Sequence, residues 1–548
     1  MHQKKNDDWI WWKHGVIYHI YPRSFCDTND DGIGDINGII CKLDYLKQLG
    51  VDAIWLSPIY KSPNIDFGYD VSDYRAINPE YGNLDDFKNL LEIAHSKNIK
   101  IIMDMIMNHT SNQHPWFIES SSSSDNPKRD WYIWKSDKKG KVPNNWKSSF
   151  GNSAWQFDDN TKEYYLHSFF KEQPDLNWRN KEMLKAFFEE IKFWLEMGVD
   201  GFRLDVINMI IKDKKYRNNP LNINIPFLQE HKYSRNRPKS HQIVKKLRKL
   251  IDKYNDKVLI GEIYVMPPGN AELSASYLSD GENGIHLAFD FSMIFQKWNA
   301  SNIYKCIKKW NDCISKDGWL CNVLSNHDLK RSINRTFFRF HQVEKAKIEA
   351  VLLLTLKGTP FVYYGEEIGM KNVKIPYQHI KDPLGKRFWP LYNGRDGART
   401  PMQWNADVFA GFSSVVPWLP VNKDYNETNV FNQAKDPHSI FNLYNRLIQL
   451  RKEYPSLSKG NFIPVKKGKE GILVYSRTYE DETLTIVLNF TSRKKNISLK
   501  GKGRFEILFS TNNRSEDDNS ENNEIVIYPF EARIYKPYHI KTSYNNNN

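Results

Sequence analysis

The sequence predicts a (β/α)₈ barrel with a small inserted domain after the third strand and a C-terminal antiparallel β-sandwich. Three observations carry this. Eight short, β-branched apolar runs alternate with amphipathic helical patterns. One long polar excursion interrupts the alternation. The last stretch of chain loses its helical period.

The expected barrel strands are Val16–Ile20, Ala53–Leu56, Ile99–Met105, Gly201–Val206, Val258–Ile263, Ile285–Phe289, Cys321–Leu324 and Phe361–Tyr364. Between the second and third, Phe87, Leu90, Leu91 and Ala94 recur at i, i+3, i+4 and i+7, with Asn83 placed to cap the helix. Leu184, Phe187, Phe188, Ile191 and Leu195 repeat the pattern before Gly198. A doubly wound open sheet is the rival, but no GxGxxG follows the first strand. The excursion from about Thr110 to Trp178 is rich in Ser, Asn, Asp, Trp and Tyr and includes the polar run Ser120–Asp125; so long a loop is usually functional or a small domain. From about Asn461, strand-like runs such as Gly471–Tyr475, Leu484–Asn489 and Ile525–Tyr528 alternate with polar turns. The division is therefore barrel at 1–109, insert at 110–178, barrel again at 179–460 and β domain at 461–548, with Tyr544–Asn548 expected to be disordered.

Composition narrows the function classes. A chain of 548 residues exceeds one compact core. Aromatics at 14% suit stacking on sugar rings, although most rings in a protein this size belong to the core. The net charge of +13 comes from scattered Lys and Arg rather than a stripe, and no nucleic-acid motif accompanies it, so no nucleic-acid partner is expected. Five Cys with no CxxC pair indicate neither a disulfide framework nor a zinc site. The N-terminus MHQKKNDDWIWW lacks the apolar core of a signal peptide, and no apolar run approaches the ~20 residues of a membrane helix. A soluble, cytoplasmic, monomeric enzyme with no membrane partner is the default expectation.

In such a barrel the active site gathers at the C-terminal ends of the strands. Four expected strand ends carry polar groups: Asp104-Met-Ile-Met-Asn108-His109, Gly201-Phe-Arg203-Leu-Asp205-Val206, Gly261-Glu262 and Ser325-Asn326-His327-Asp328. One strand-end carboxylate is usually a cap or a salt-bridge partner; four such ends converging on one mouth resist that explanation. Arg203 and Asp205, two apart on a strand, face the same side. The guanidinium is expected to lower the Asp205 pKa and keep it ionised, while burial and like charge raise Glu262. One ionised and one protonated carboxyl is the pair that glycoside hydrolysis requires. Asp328, His327 and His109 supply further groups able to grip sugar hydroxyls.

The four motifs resemble the signature regions of the α-amylase superfamily, glycoside hydrolase family 13. Trp11-Trp-Lys13, Val16-Ile-Tyr-His-Ile-Tyr-Pro-Arg-Ser-Phe25, Gln173-Pro-Asp-Leu-Asn177 and Arg395-Asp-Gly-Ala-Arg-Thr-Pro-Met-Gln-Trp404 are similar to motifs of its oligo-1,6-glucosidase and α-glucosidase subfamily. The resemblance runs from about Trp11 into the C-terminal domain. It implies a retaining mechanism with Asp205 as nucleophile, Glu262 as acid/base and Asp328 as transition-state stabiliser. It also implies a glucose pocket built from Asp66, Tyr69, His109, Arg203, His327 and Arg395. An Asp66–Arg395 pair would close that pocket behind the non-reducing glucose and make the enzyme exo-acting on short oligosaccharides. Val206, beside the nucleophile, accompanies α-1,6 preference in this subfamily, where Thr or Ala accompanies α-1,4. The flanks Ile-Tyr-Val-Met-Pro after Glu262 and Leu-Lys-Arg after Asp328 depart from the subfamily's common wording, where the leaving sugar binds.

The loop Asp27-Thr-Asn29-Asp-Asp31-Gly-Ile33-Gly-Asp35 spaces oxygens at alternate positions around a Gly turn. Composition alone favours a plain turn; the resemblance implies a structural Ca²⁺ held by Asp27, Asn29, Asp31, the Ile33 carbonyl and Asp35. Other readings on the same machinery are an α-1,4-glucosidase or transglucosylase, a sucrose isomerase and a trehalose-6-phosphate hydrolase. A transporter heavy chain resembles the barrel too, but carries a membrane helix and lacks the full catalytic set that this chain keeps.

Overall fold

The computed structural model describes residues 9–136, 140–222, 229–265, 269–278, 283–289, 291–315, 318–335, 340–499, 505–512 and 524–537. Tyr544–Asn548, and Met266 and Pro267 of the segment after Glu262, lie outside the described residues.

Eight parallel strands close into a barrel: β1 (Ile17–Ile20), β2 (Ala53–Leu56), β3 (Lys100–Ile106), β4 (Gly201–Asp205), β5 (Val258–Gly261), β6 (Leu287–Phe289), β7 (Trp319–Val323) and β8 (Thr359–Tyr363). β8 pairs back on β1 with Phe361 opposite Ile17, so no sheet edge is left open. Almost every strand residue is buried, as expected where helices cover one side of the sheet and side chains fill the barrel interior. All eight expected strands are present, with ends displaced by at most a few residues. β7 begins at Trp319 rather than Cys321, and β6 begins at Leu287 rather than Ile285.

The helices follow from caps and periodicity. Helix Leu84–Ser96 starts at Asn83, whose side chain accepts from the N–H groups of Asp85 and Asp86 while Asp86 returns the bond, and it buries Phe87, Leu90, Leu91 and Ala94. Helix Lys181–Met197 is capped by Asn180 and ends at Gly198, which takes the left-handed conformation (φ 110°). Its buried face is Met183, Phe187, Ile191, Trp194 and Leu195, whereas Leu184 and Phe188 are only half-buried. The stripe is rotated slightly from the expected one because Trp194 packs edge-on against Tyr60 and Phe87.

Between β3 and that helix lie helix Pro115–Ser122, which runs into the polar Ser120–Asp125 stretch, and a three-stranded antiparallel sheet of Trp134–Ser136, Glu163–Leu166 and Trp155–Asp158. At the C-terminal end, five antiparallel strands run in the order Asn461–Lys467, Ile472–Tyr479, Glu482–Asn489, Ala532–Pro537, Phe505–Ser510. The pair Lys495–Ser498 and Glu524–Ile527 packs against them through Ile472, Val474, Val487, Ile497 and Ile525.

Candidate active site

The strand ends bring three acidic side chains around one arginine. β3 and β4 pair with Asp104 opposite Arg203 and Ile106 opposite Asp205, and β4 and β5 pair with Leu204 opposite Gly261. This register sets Asp104, Arg203, Asp205 and Glu262 side by side. At Gly261 a Cβ would stand 2.3 Å from Ile285 Cδ1, so any side chain there would have to push that methyl aside. Arg203 Nη1 donates to Asp104 Oδ1 at 2.7 Å and to Asp205 Oδ1 at 2.8 Å, while Nη2 donates to Glu262 Oε2 at 2.6 Å. All four are buried, and the guanidinium lies over the Trp55 ring.

Burial outweighs the arginine in setting the charge. Asp205 and Glu262 are both pushed above the usual carboxylate range, by burial first, against the pull of Arg203; like charges from Glu262, Asp104 and Asp328 add to the rise. Arg203 does pull the Asp205 pKa down, as expected from sequence, but the expectation that it keeps the carboxyl ionised is corrected here: one guanidinium is shared among three buried carboxylates, and burial wins. The set therefore holds on to a proton as a coupled unit rather than at one residue fixed by its own surroundings.

The remaining expected residues form the wall opposite. Tyr69 donates its hydroxyl to Asp104 Oδ2 at 3.1 Å and stacks on His327, whose Nε2 lies 2.7 Å from the same hydroxyl. Burial drives His327 down to about 3 and His109 to about 4, so both rings are neutral near pH 7. Asp328 has 36% of its side chain open into the mouth. Removal from bulk water raises its carboxyl, but His327, Arg395 and Arg399 overcome this and hold it below the usual range. Arg395 Nη2 meets Asp66 Oδ1 at 2.8 Å, the pairing expected from sequence, and Arg395 Nη1 reaches Asp328 at 3.3 Å.

Val206, directly after Asp205, is buried in a left-handed conformation (φ 37°, ψ 45°), and its N–H points at Glu262 Oε2, 3.4 Å away. A β-branched residue there is strained and is held by its surroundings.

Four residues were not assigned to the site from sequence. Asp104 lay in a quoted motif without a role, and it binds Arg203. Arg399, also within a quoted motif, holds Asp328 at 3.0 Å. Gln173 reaches His109 at 3.1 Å and Asp66 at 3.4 Å, so its motif ties the insert to the pocket. Asp382 braces Arg395 through Nε, Nη2 and the backbone N–H; it sits in no motif, and only the fold brings it there.

The Asp27–Asp35 loop lies apart from these groups. Asp27 Oδ1 accepts from the N–H groups of Asn29 and Asp30, and its Oδ2 from Gly32 and the Ser413 hydroxyl. Asp31 accepts from Ile33 N–H and the Asn29 amide. Asp35 caps helix Ile36–Cys41 and accepts from Thr28. Among the described residues, no three Asp, Glu, His or Cys side chains are brought together as a metal centre. The donors are nonetheless all oxygen, the chemistry of a hard cation.

Comparison with known proteins shows the family. Residues 19–460 match the family model for the alpha amylase catalytic domain. An oligo-1,6-glucosidase of Parageobacillus thermoglucosidasius is 42% identical, with 96% of this chain and 99% of the relative covered. Among solved structures, the isomaltulose synthase SmuA from Protaminobacter rubrum superposes with a TM-score of 0.89 at 34% identity, covering 96% of this chain and 99% of the other. The trehalose-6-phosphate hydrolase of Bacillus licheniformis gives 0.86 at 34% identity, covering 96% and 99%. No described helix is long and apolar enough to cross a membrane. On this evidence the chain belongs to the α-amylase family, glycoside hydrolase family 13, and is a glycoside hydrolase of its α-glucosidase branch.

Proposed function

We propose that the protein is a retaining, exo-acting α-glucosidase that releases glucose from the non-reducing end of short oligosaccharides, with preference for α-1,6 links. The observation that carries the reading is the sharing of Arg203 by Asp205 and Glu262. Two carboxyls held by one guanidinium lie close together, which suits direct attack by one of them better than a water placed between them.

In this mechanism Asp205 attacks the anomeric carbon as Glu262 gives its proton to the departing oxygen, forming a glucosyl-enzyme ester. Glu262 then takes a proton from water, which opens the ester with net retention. The proton that the coupled set retains is the one Glu262 transfers. Asp328, held ionised by Arg395 and Arg399, faces the positive charge that develops on the ring. Neutral His327 and His109, with Tyr69, offer bonds to sugar hydroxyls. The Asp66–Arg395 pair supports exo action by blocking extension beyond the first glucose.

The α-1,6 preference rests on Val206 and on the identity to oligo-1,6-glucosidases. A structural Ca²⁺ in the Asp27–Asp35 loop rests on the all-oxygen donor set. Asp27 and Asp35, whose oxygens already accept from the loop and from the start of the helix, would have to exchange those bonds for the ion.

Glucose release measured side by side from isomaltose, maltose, sucrose, trehalose and trehalose-6-phosphate tests the substrate. Isomaltose is expected to give the highest kcat/KM; a higher value for any other sugar reassigns it.

A further inference from the structure

Arg235 is buried, with 4% of its surface exposed, on the segment between β4 and β5. Its Nη2 donates to Ser149 Oγ at 3.1 Å, but Nε and Nη1, both shielded from solvent, have no hydrogen-bond partner. Among the described residues it forms no ion pair. The nearby Asp175 carboxylate is taken by Lys212 at 2.9 Å. Arg451, also buried, is better satisfied: its guanidinium donates to the carbonyls of Leu354, Leu457 and Gly358 and leaves only Nε idle. Arg235 has no such carbonyls, and burial, offset only in part by Tyr264 and Asp175, lowers its pKa to about 10. A buried cation with two idle donors is costly, and such groups cluster where a ligand completes them.

Its position says which ligand. On one side it lies over the ring of Tyr264, two residues after Glu262. On the other, Ser149 leads into Phe150, whose ring is within 5.9 Å of the Arg395 guanidinium. Asn236, next in the chain, bonds to Asn208 in the turn that follows Asp205 and Val206. Arg235 is thus on the Glu262 side of the mouth, where the leaving group departs. It also lines a cavity of about 320 Å³ with His231, Asn236, Val265 and Asn270.

We propose that Arg235 is a specificity-determining residue for the leaving group, its Nε and Nη1 donating to oxygens of the sugar unit beyond the scissile bond. This rests on the reading that Glu262 protonates the leaving oxygen. The recognised oxygens are hydroxyls or a 6-phosphate, and trehalose against trehalose-6-phosphate tells these apart.

The test compares Arg235→Met and Arg235→Lys with the parent on α-glucosyl fluoride, which has no leaving sugar, and on whichever of the five disaccharides above the parent cleaves fastest. For Arg235→Met, the ratio of kcat/KM for the disaccharide to that for the fluoride is expected to fall about tenfold or more. Arg235→Lys, which keeps the charge but not the fork, is expected to fall between. The melting temperature of Arg235→Met is expected to hold or rise, because an uncompensated buried charge has been removed. An unchanged ratio overturns the proposal, whether or not stability falls. A parent active on the fluoride but on none of the five disaccharides would defeat the underlying reading, and this one with it; a parent active on one of them leaves Arg235 to be judged alone.

Discussion

The mouth of the barrel and the Asp27–Asp35 loop are built from the same side chain and use it in opposite ways. In the loop, most of the partners of Asp27, Asp31 and Asp35 lie within seven residues: backbone N–H groups at Asn29, Asp30, Gly32, Ile33 and Gly38, and the Thr28 hydroxyl. Those bonds shape a turn and start a helix. In the mouth, Asp104, Asp205 and Glu262 come from three strands and meet on one guanidinium. No single segment could hold them together, and burial leaves them short of positive charge. A carboxylate satisfied by its own loop is structural; carboxylates forced together by the fold keep chemical potential that a substrate can draw out.

Substitutions can break this comparison. Asp205→Asn keeps the size of the side chain and removes the attacking oxygen, so kcat on isomaltose is expected to fall by several orders of magnitude. Steady-state assay of the folded variant checks it, and near-parental turnover would make the mouth as structural as the loop. Glu262→Gln is expected to lose nearly as much on isomaltose but to spare kcat/KM, which reads the first step alone, on α-glucosyl fluoride, whose leaving group needs no proton. The pH profile follows with a definite sign. Because the carboxyl pKa values are raised, the essential proton is retained to higher pH and activity falls as pH climbs through the raised value. That basic limb is expected to vanish for Glu262→Gln on the fluoride. With His327 and His109 already neutral above about pH 4, a limb that persists would have to come from another group.

Smaller effects sharpen the contrast. Val206→Thr is expected to raise the maltose/isomaltose ratio of kcat/KM by roughly tenfold, since one contact at a cleavage site is worth ~1–3 kcal/mol; competition assays with both sugars measure it. In the loop, chelation is expected to lower the melting temperature and leave kcat on isomaltose at 25 °C nearly intact, because a cation bound only to the folded state stabilises by mass action. Metal analysis that finds no Ca²⁺ even after its addition would leave the loop as a turn and nothing more.

The fold was legible because barrel strands are buried along most of their length and read as short apolar runs, and because Asn83 and Gly198 mark helix ends with local chemistry. The facing of Arg203 and Asp205 was legible from the two-residue period of a strand. The charge state was not: Asp104 and Glu262 reach Arg203 from 99 and 59 residues away, and the burial they impose on Asp205 is a property of the closed barrel. Asp382 escaped for the same reason, since its contact with Arg395 follows from the loop that folds over the mouth. Arg235 was hidden differently. It stands among His231, Lys232, Arg237 and Lys239, a stretch that reads as a solvated basic face until its burial is seen.

The central claim is that Asp205 forms a covalent bond to glucose. A slow glucosyl donor, 5-fluoro-α-glucosyl fluoride, should trap that ester. Intact-mass analysis is then expected to show one added fluoroglucosyl group, and peptide mapping to place it on Asp205, with α-glucose as the first product from natural substrate. An adduct on another carboxylate, or β-glucose released first, would contradict the account.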